Sequence, residues 1–240
     1  MQHFGAKLAA IAIGAALLTG TAHAAKRNLL MAGFKDLIVE DDIEVILTIG
    51  KSPKAVVTGD KRDISRVILD RRGNTLIVKL RSRANNAQRR PASEPLKLTL
   101  SNRDLENIEL RGNGRIEASG LKNNGDAKIF IFGNGDVTVG NMSALRLTTT
   151  VIGNGSIAMN GGKVRNGLIE LQGNAKIDAA AVTFGDLEVT HQGGGQSSAN
   201  VTNGATIYND GRGSITITGK GRCFIKRAGS ATIDCPKYAR

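Results

Sequence analysis

The sequence has few of the residues from which metal and redox sites are usually built. It contains no tryptophan, aromatic residues make up 3% of the chain, and its 240 residues include only two cysteines and three histidines. The cysteines, Cys223 and Cys235, form no Cys-x-x-Cys motif and have no histidine nearby in the sequence. This composition disfavours a metal, a cofactor or a redox motif. The scarcity of aromatic residues is consistent with a core of aliphatic side chains.

No apolar run is long enough to cross a bilayer as a helix. The clearest run, from Leu8 to Leu18, is shorter than the roughly 20 residues that a membrane span needs. Lys7 precedes it and Ala22-His23-Ala24 follows it, so residues 1–24 are predicted to be a cleavable signal peptide. We therefore expect an exported protein without a transmembrane anchor, in the periplasm, secreted or at the cell surface.

Acidic residues are outnumbered, with 33 Lys and Arg against 21 Asp and Glu and a formal net charge of +12. Residues 81–91 lack apolar periodicity and hold the densest group of positive charges, so they are predicted to form a solvated loop. A basic exported protein favours anionic surfaces, such as lipopolysaccharide, acidic envelope glycans or extracellular DNA, and no specific recognition of nucleic acid is expected. The candidate anion-binding residues are Arg71, Arg72, Arg81, Arg83, Arg89 and Arg90. The simpler interpretation is a charged loop that binds nothing.

A short glycine phrase recurs through residues 105–235. Its first glycines are 21, 20, 20, 20, 18 and 18 residues apart, and so regular a period is typical of stacked-repeat proteins. The seven copies are Gly112-Asn113-Gly114, Gly133-Asn134-Gly135, Gly153-Asn154-Gly155, Gly173-Asn174-Ala175, Gly193-Gly194-Gly195, Gly211-Arg212-Gly213 and Gly229-Ser230-Ala231.

Each repeat is predicted to contain a strand, a sharp corner at the glycines, a second strand and a less regular loop that leads to the next repeat. Apolar residues fall two apart in both arms and are mostly β-branched, which favours strands over helices. The glycines are expected to supply a positive φ at the corner, and asparagine tolerates that region better than most residues. Asn113, Asn134, Asn154 and Asn174 could form an amide ladder from coil to coil, or could simply be good turn residues.

The sequence thus predicts an all-β parallel β-helix, or β-solenoid, with seven Gly-x-Gly coils. A propeller is disfavoured because its blades need about 40 residues. Residues 25–100 are predicted to be an N-terminal region of strands that caps the repeats of residues 101–240. Its candidate strands are 34–40, 43–49, 55–60, 64–70, 75–80 and 96–100, with a hairpin turn at Gly73-Asn74.

The repeat register also predicts where in the coils the two cysteines lie, and where His191 lies, the single histidine after residue 24. Cys223 lies six residues before a corner glycine and Cys235 six after it, both in core columns, so we predict a disulfide that closes the last coil. Two reduced thiols in the core are the alternative. His191 lies in a column that otherwise holds Leu and Val, so it is interpreted as a structural residue and not a catalytic one.

The same register was used to look for catalytic residues and for contact surfaces. Neither outward column after the corner stacks acidic residues on adjacent coils, so no paired-carboxylate, calcium or other metal site is visible. The Gly-Asn-Gly phrase lacks the Lys-Ser/Thr of a phosphate loop. Phe130, Phe132 and Ile152 fall in outward registers and form a candidate apolar contact patch, unless the N-terminal strands cover them.

The motif order resembles the putative auto-transporter adhesin head family, also called the head GIN domain, over about residues 34–235. The resemblance rests on Phe34-x-x-Leu37-x-Val39, Val45-x-Leu47 followed by Gly50, Leu76-x-Val78, and Leu105-x-x-Ile108-x-Leu110-x-Gly112-x-Gly114 with its 20-residue repeats. It implies an exported β-helical protein of unproven function without established catalytic residues, and the family's name implies surface adhesion. Asparagine stands where the family more often has serine at the corner.

We therefore expect a non-enzymatic binding, adhesion-like or structural module of the cell envelope. The alternative is a polysaccharide-processing enzyme whose site is formed by loops. The sequence names no ligand and no oligomeric state.

Overall fold

The computed structural model describes residues 25–82 and 95–238. Nearly three-quarters of the chain (72%) is β-strand and 2% is helix, and stacked coils form a β-solenoid of about six turns. The predicted fold class is therefore confirmed. The number of Gly-x-Gly coils stays a prediction, as do the signal peptide, which lies outside the described residues, and the domain boundaries.

One short helix and seventeen strands make up the described part of the chain. In chain order they are β1 (Ala25–Leu29), β2 (Asp36–Glu40), β3 (Glu44–Ile49), β4 (Lys54–Gly59), α1 (Lys61–Ile64), β5 (Val67–Arg72), β6 (Thr75–Leu80), β7 (Lys97–Asn102), β8 (Asn107–Gly112), β9 (Arg115–Gly133), β10 (Asp136–Gly153), β11 (Ser156–Met159), β12 (Gly162–Gly173), β13 (Lys176–Gln192), β14 (Gln196–Asn209), β15 (Ser214–Gly219), β16 (Arg222–Arg227) and β17 (Thr232–Asp234).

Each strand of the repeats pairs in parallel with its counterpart one coil away. Ile129 is in register with Ile108 on one side and with Thr149 on the other, and Ile169 is in register with Thr149 and Val189. The segments that lead into the corners form the before-corner sheet, and those that leave the corners form the after-corner sheet. The segments that connect the two form the third side, made of residues 119–126, 140–146, 160–166, 180–186, 200–204 and 219–222.

Inward-pointing aliphatic side chains form continuous columns through the coils. Residues four positions before the first corner glycine, from Ile108 to Ile207, are at most 1% exposed, and the column four positions after it is buried from Ile116 to Ile215. One residue departs from the predicted pattern. Ile225 falls in the first of these columns but is 37% exposed, because it belongs to the last coil, where no further coil covers it.

The corner glycines are needed for backbone shape and for close stacking. Gly133 has a φ of +133°, and a Cβ there would collide with the carbonyl oxygen of Gly112. Six of the seven first corner glycines have positive φ, as predicted, namely the five from Gly112 to Gly193 and Gly229; Gly211 does not. The explanation offered for the asparagines is wrong, however. Within the described residues Asp41 is the one non-glycine with positive φ, so the asparagines do not occupy that region.

The asparagines are explained instead by an amide ladder. Asn134 donates from Nδ2 to Oδ1 of Asn113, and Asn154 donates in the same way to Asn134, both at 2.9 Å. The ladder begins at Asp42, which accepts from the backbone N–H of Asn113 at 3.0 Å and from its Nδ2 at 3.1 Å. Three of the four predicted members are therefore linked, and no side-chain bond extends the ladder to Asn174 within the described residues.

The ladder gives a local test of stability. Replacing Asn134 by alanine removes one donor and one acceptor of the ladder, so the free energy of unfolding should fall by about 1 kcal/mol. Asn174→Ala is the matched control, because this residue has the same corner position without a ladder bond, and it should change stability less. Urea unfolding of both variants measures the difference. Equal losses would show that corner geometry, and not the ladder, explains the asparagines.

The N-terminal strands extend the stack as well as capping it. β2 and β3 pair in parallel with β8 and β9, and β6 and β7 pair in parallel with β2 and β3 on the other side. The hairpin between β5 and β6 and the antiparallel pairs of β4 with β7 and β1 end the stack. In the folded chain β6 lies between β5 and β2, and β7 lies between β4 and β3, although β6 and β7 come later in the sequence than these partners. Antiparallel strands therefore form the edges at this end of the stack.

Two details of the N-terminal region differ from the sequence-based expectation. The predicted strand 64–70 begins only at Val67, because residues 61–64 form helix α1, whose cap residue Asp60 accepts from the backbone N–H of Arg62 at 2.9 Å. The corner between β2 and β3 also lacks glycine, and Asp41 supplies its positive φ of 78°. The hairpin at Gly73-Asn74 is confirmed by the pairing of Arg72 with Thr75.

A disulfide joins Cys223 to Cys235 across the last coil, with their Cα atoms 6.5 Å apart. Both residues are buried, at 1% and 6% exposure. The chain then turns back so that the carbonyl of Lys237 accepts from the backbone N–H of Cys223 at 2.8 Å. The covalent bond therefore ties the final strand to the end of the stack, where neighbouring coils give the least support.

Loss of this bond should be measurable. The disulfide closes a loop of 12 residues, so the chain-entropy estimate gives a stabilisation of about 2–3 kcal/mol. Serine at both cysteines should therefore lower the melting temperature, and a reducing agent should do the same to the native protein. The double variant itself should be insensitive to reductant. A native protein whose melting curve is unchanged by full reduction would contradict the predicted contribution.

None of the helices within residues 25–82 and 95–238 has the length and hydropathy that a membrane crossing requires.

Candidate functional site

The candidate apolar patch lies on the outer surface of the before-corner sheet. Phe132 is 57% exposed and in register with Ile152 on the next coil, while Phe130 and Ile152 are partly buried. The N-terminal strands do not lie across these side chains, because they pair edge to edge at the end of the stack. Among the described residues, the N-terminal strands therefore leave the patch uncovered, which is one of the two possibilities that the sequence left open.

A shallow groove adjoins the patch. It encloses about 480 Å³ and runs over β2, β8 and the part of β9 that leads into the corner. Its apolar floor includes Ile38 and Phe130, and its polar residues include Asp36, Glu109 and Lys128. We call this feature the Phe130 groove. Concave surfaces with an apolar floor and a few polar groups are the usual form of a ligand site.

Hydrogen bonds fix one edge of the Phe130 groove. Asp36 accepts from Nδ2 of Asn107 at 2.6 Å and from the hydroxyl of Thr75 at 3.3 Å, which links three neighbouring strands. The amide oxygen of Asn107 is buried and has no hydrogen-bond partner among the described residues. This oxygen has almost no solvent-accessible surface, so it does not form part of the open surface of the groove.

Charged residues separate the Phe130 groove from the exposed end of the patch. Arg111, in register with Phe132, lies 2.9 Å from Glu40 and 2.6 Å from Glu109 in two ion pairs. Both carboxylates raise the pKa of Arg111, the hydrogen bond to Glu109 being the larger cause. The arginine is therefore held in place beside the phenylalanine.

The three candidate anion-binding arginines in the described part of the chain do not form one site. Arg71 and Arg72 are exposed at the turn of the β5–β6 hairpin, where Arg72 forms an ion pair of 3.0 Å with Asp70 and Arg71 donates to the carbonyl of Gly33. Arg81 follows the opposite end of the hairpin, about 17 Å away for five residues of strand. Arg83, Arg89 and Arg90 lie outside the described residues.

No cluster of three or more histidine, cysteine, aspartate or glutamate side chains suited to a metal ion occurs within the described ranges. His191 is fully buried in register with Leu171 and Asn209, as its column predicted. Burial lowers its pKa from 6.5 to about 4. The imidazole is therefore neutral at neutral pH and inaccessible to a substrate, which suits a structural residue.

Sequence reasoning found the phenylalanines but missed the groove beside them. Asp36, Ile38 and Thr75 come from β2 and β6, more than 50 residues before Phe130 in the chain, and carry no part of the glycine repeat. The one available signal was the alternation Leu37-x-Val39, which matches the strands before each corner. It could have placed β2 beside β8 and thus Ile38 near Glu109.

Comparison with known proteins agrees with this architecture. The sequence profile of the family "Putative auto-transporter adhesin, head GIN domain" matches residues 33–221. No curated protein is similar enough in sequence to count as a match.

Three solved structures of similar fold come from bacteria. A putative adhesin of Bacteroides fragilis superposes with a TM-score of 0.73 at 20% identity, covering 89% of this chain and 97% of its own. A putative lipid binding protein of Parabacteroides distasonis has a TM-score of 0.66 at 16% identity, covering 90% and 97%. A putative adhesin of Parabacteroides merdae has a TM-score of 0.63 at 15% identity, with the same coverage of 90% and 97%.

Proposed function

Because the chain belongs to the head GIN domain family of putative auto-transporter adhesins, we propose that it is an exported, non-enzymatic, adhesion-like binding module of the cell envelope. The observation that carries this proposal is the open surface formed by Phe132, Ile152 and the Phe130 groove on one face of a continuous β-solenoid. Exposed apolar surface next to a groove is typical of a contact site.

The architecture supports binding rather than catalysis. The interior is mostly aliphatic, and its buried polar residues, such as His191 and Asn209, are enclosed in the core columns. The groove holds no histidine and no cysteine among the described residues. Its two carboxylates are already engaged, Asp36 by two hydrogen bonds and Glu109 by an ion pair with Arg111. Such a surface suits recognition of an extended partner, which several coils can contact at once.

An extracytoplasmic location is supported by two observations. The disulfide between Cys223 and Cys235 is of a kind that persists in oxidising compartments. The predicted signal peptide of residues 1–24 has the basic start, apolar run and small-residue end of exported proteins. We therefore propose the periplasm or the cell surface as the site of action.

The net charge of +12 supports an anionic partner. We propose acidic envelope glycans or lipopolysaccharide as the partner class, since a basic protein outside the cytoplasm meets these polyanions at high local concentration. No specific recognition of nucleic acid is proposed.

The alternative function, a polysaccharide-processing enzyme with a loop-borne site, is tested by incubating the purified protein with acidic polysaccharides. A binding module should retain the polymer and release it at full length when the salt concentration is raised. A Phe130→Ala, Phe132→Ala variant, which alters the contact surface, serves as the comparison. Reproducible release of sugar fragments by the native protein would overturn the non-enzymatic proposal.

A further inference from the structure

Positive charge is segregated onto one side of the solenoid. The third side, as defined above, carries six basic residues and two acidic ones. In contrast, the before-corner sheet carries four of each between residues 107 and 228, and the after-corner sheet carries two basic and four acidic residues between 115 and 234. The linear sequence hides this separation, because the basic residues are spread over a hundred positions.

Five of the six basic residues on the third side form no ion pair with any described residue. They are exposed, and they are Lys122, Lys163, Arg165, Lys220 and Arg222. The sixth, Arg146, is bound to Asp126 at 2.6 Å. The other acid, Asp186, accepts a hydrogen bond from Asn203 at 3.3 Å. We call the five unpaired residues the basic strip.

The strand register sets the spacing of the basic strip. Lys122 and Lys163 both pair with Ser143, one from each side, so two strand spacings of about 4.8 Å place their Cα atoms roughly 10 Å apart. Arg222 pairs with Gly204, which pairs with Asp186. From β9 to β16 the strip therefore covers five strand spacings, or about 24 Å along the solenoid axis.

The residues between these cations leave the strip accessible. Ser143, Thr202 and Asn203 are exposed and uncharged, and Gly185 and Gly204 carry no side chain at all. A chain lying along the axis would meet alternating positive charges and small hydrogen-bonding groups. This differs from the two sheets, where acidic side chains neutralise the basic ones.

We infer that the basic strip is a binding surface for a linear acidic polysaccharide that lies along the solenoid axis. This inference rests on the proposed anionic glycan partner and names the surface that binds it. The cations lie at three levels along the axis, with Lys122 on the first coil of the strip, Lys163 and Arg165 on the third, and Lys220 and Arg222 on the last. Carboxylates spaced along one extended glycan can therefore meet cations at each of these levels. Duplex nucleic acid fits less well, since it carries one charge per about 1.7 Å of its axis, far more than five cations over this length can match.

The test compares variants that remove three positive charges from different places. Lys122, Lys163 and Lys220 are replaced by serine in the strip variant, and Lys26, Lys54 and Lys176, which are exposed and lie outside the third side, are replaced in the control variant. A third variant replaces Arg81, Arg83, Arg89 and Arg90 by serine. The probe is polygalacturonate, which has one carboxylate per ring, and its fully methyl-esterified, neutral form is the probe control.

The native protein should bind polygalacturonate in a salt-dependent manner and should not bind the neutral ester. The strip variant should lose about tenfold in affinity, since each exposed charge contact contributes up to about fivefold. The control variant should stay within about twofold, and all variants should melt as the native protein does, because these side chains are solvated.

Several outcomes would overturn the inference, and some of them would also rule out the proposed anionic glycan partner. Equal losses of affinity in the strip and control variants would show that the basic strip is not the binding surface, and so would a loss confined to the arginine variant. Either result would leave the anionic glycan partner in place. Failure of the native protein to bind polygalacturonate would remove both the strip and that partner class. Binding to lipopolysaccharide alone would assign the partner to a lipid headgroup and overturn the strip's proposed ligand.

Discussion

Ile169→Asp is expected to prevent folding or to lower the free energy of unfolding by more than about 5 kcal/mol, since it removes a buried aliphatic group and buries an unpaired charge. Ile169 is 1% exposed and lies between Thr149 and Val189 in a column that runs through the stack. Neither neighbour offers a positive charge to the new carboxylate. The effect should spread, because the coils above and below lose their shared contact.

The matched control for this prediction is Gln172→Asp. Gln172 lies three residues further along the same strand and is exposed, so the same carboxylate there should change stability by at most about 0.5 kcal/mol. Thermal melting and urea unfolding followed by far-ultraviolet circular dichroism measure both variants. A negligible shift for Ile169→Asp would contradict the inward register of the column.

His191→Leu is expected to stabilise the protein and to remove part of its sensitivity to acid. Neither ring nitrogen of His191 has a hydrogen-bond partner among the described residues, and the side chain is fully buried. Leucine occupies the equivalent position one coil away, at Leu171. Removing buried polar atoms without partners should raise the free energy of unfolding by about 2 kcal/mol at pH 7.

The pH dependence has a definite sign. Burial lowers the pKa of His191 from 6.5 to about 4 in the folded protein, so protons bind more readily to the unfolded chain. The stability due to this residue is therefore complete above pH 6.5 and is lost as the pH falls towards 4. By pH 4 the native protein should have lost about 3 kcal/mol through this one group, at 1.36 kcal/mol per pKa unit.

Comparing His191→Leu with the native protein separates the pH dependence of stability due to His191 from that due to the carboxylates. The difference in stability between His191→Leu and the native protein should widen by about 3 kcal/mol between pH 7 and pH 4. Gln192→Leu, at the next and exposed position, should show no such widening. Parallel stability curves for His191→Leu and the native protein over this pH range would show that the imidazole is not held neutral by the core.

The repeat columns could be predicted because each position depends on local geometry alone. An apolar residue two positions from another in a strand faces the same way, and a glycine period of about 20 residues brings copies of each position into line. From this it followed that Cys223 and Cys235 face each other across a coil, and the structure joins them. The same argument placed His191 in the core.

Features that depend on segments distant in the chain could not be predicted in this way. The order β6, β2, β8 brings residues from three separate parts of the chain onto one surface, and the Phe130 groove exists only because of that order. The break at Asp41 and Asp42 between two strands was predicted, but its place as a corner of the stack was not, because it has no glycine. The role of Asp42 as the first acceptor of the asparagine ladder became visible only once β2 lay beside β8.

The sequence by itself determined the class of fold, the inward faces of the repeats and the pairing of the cysteines, because all three follow from a fixed period acting on side chains that must leave water. Only the tertiary structure decided which outward residues become neighbours. Lys122 and Lys220 are almost a hundred residues apart, yet they lie on the same side because register and bulges between coils set their alignment. Surface side chains need not be buried, so they leave no hydrophobic pattern in the sequence. Which of them lie together therefore becomes visible only in the folded structure.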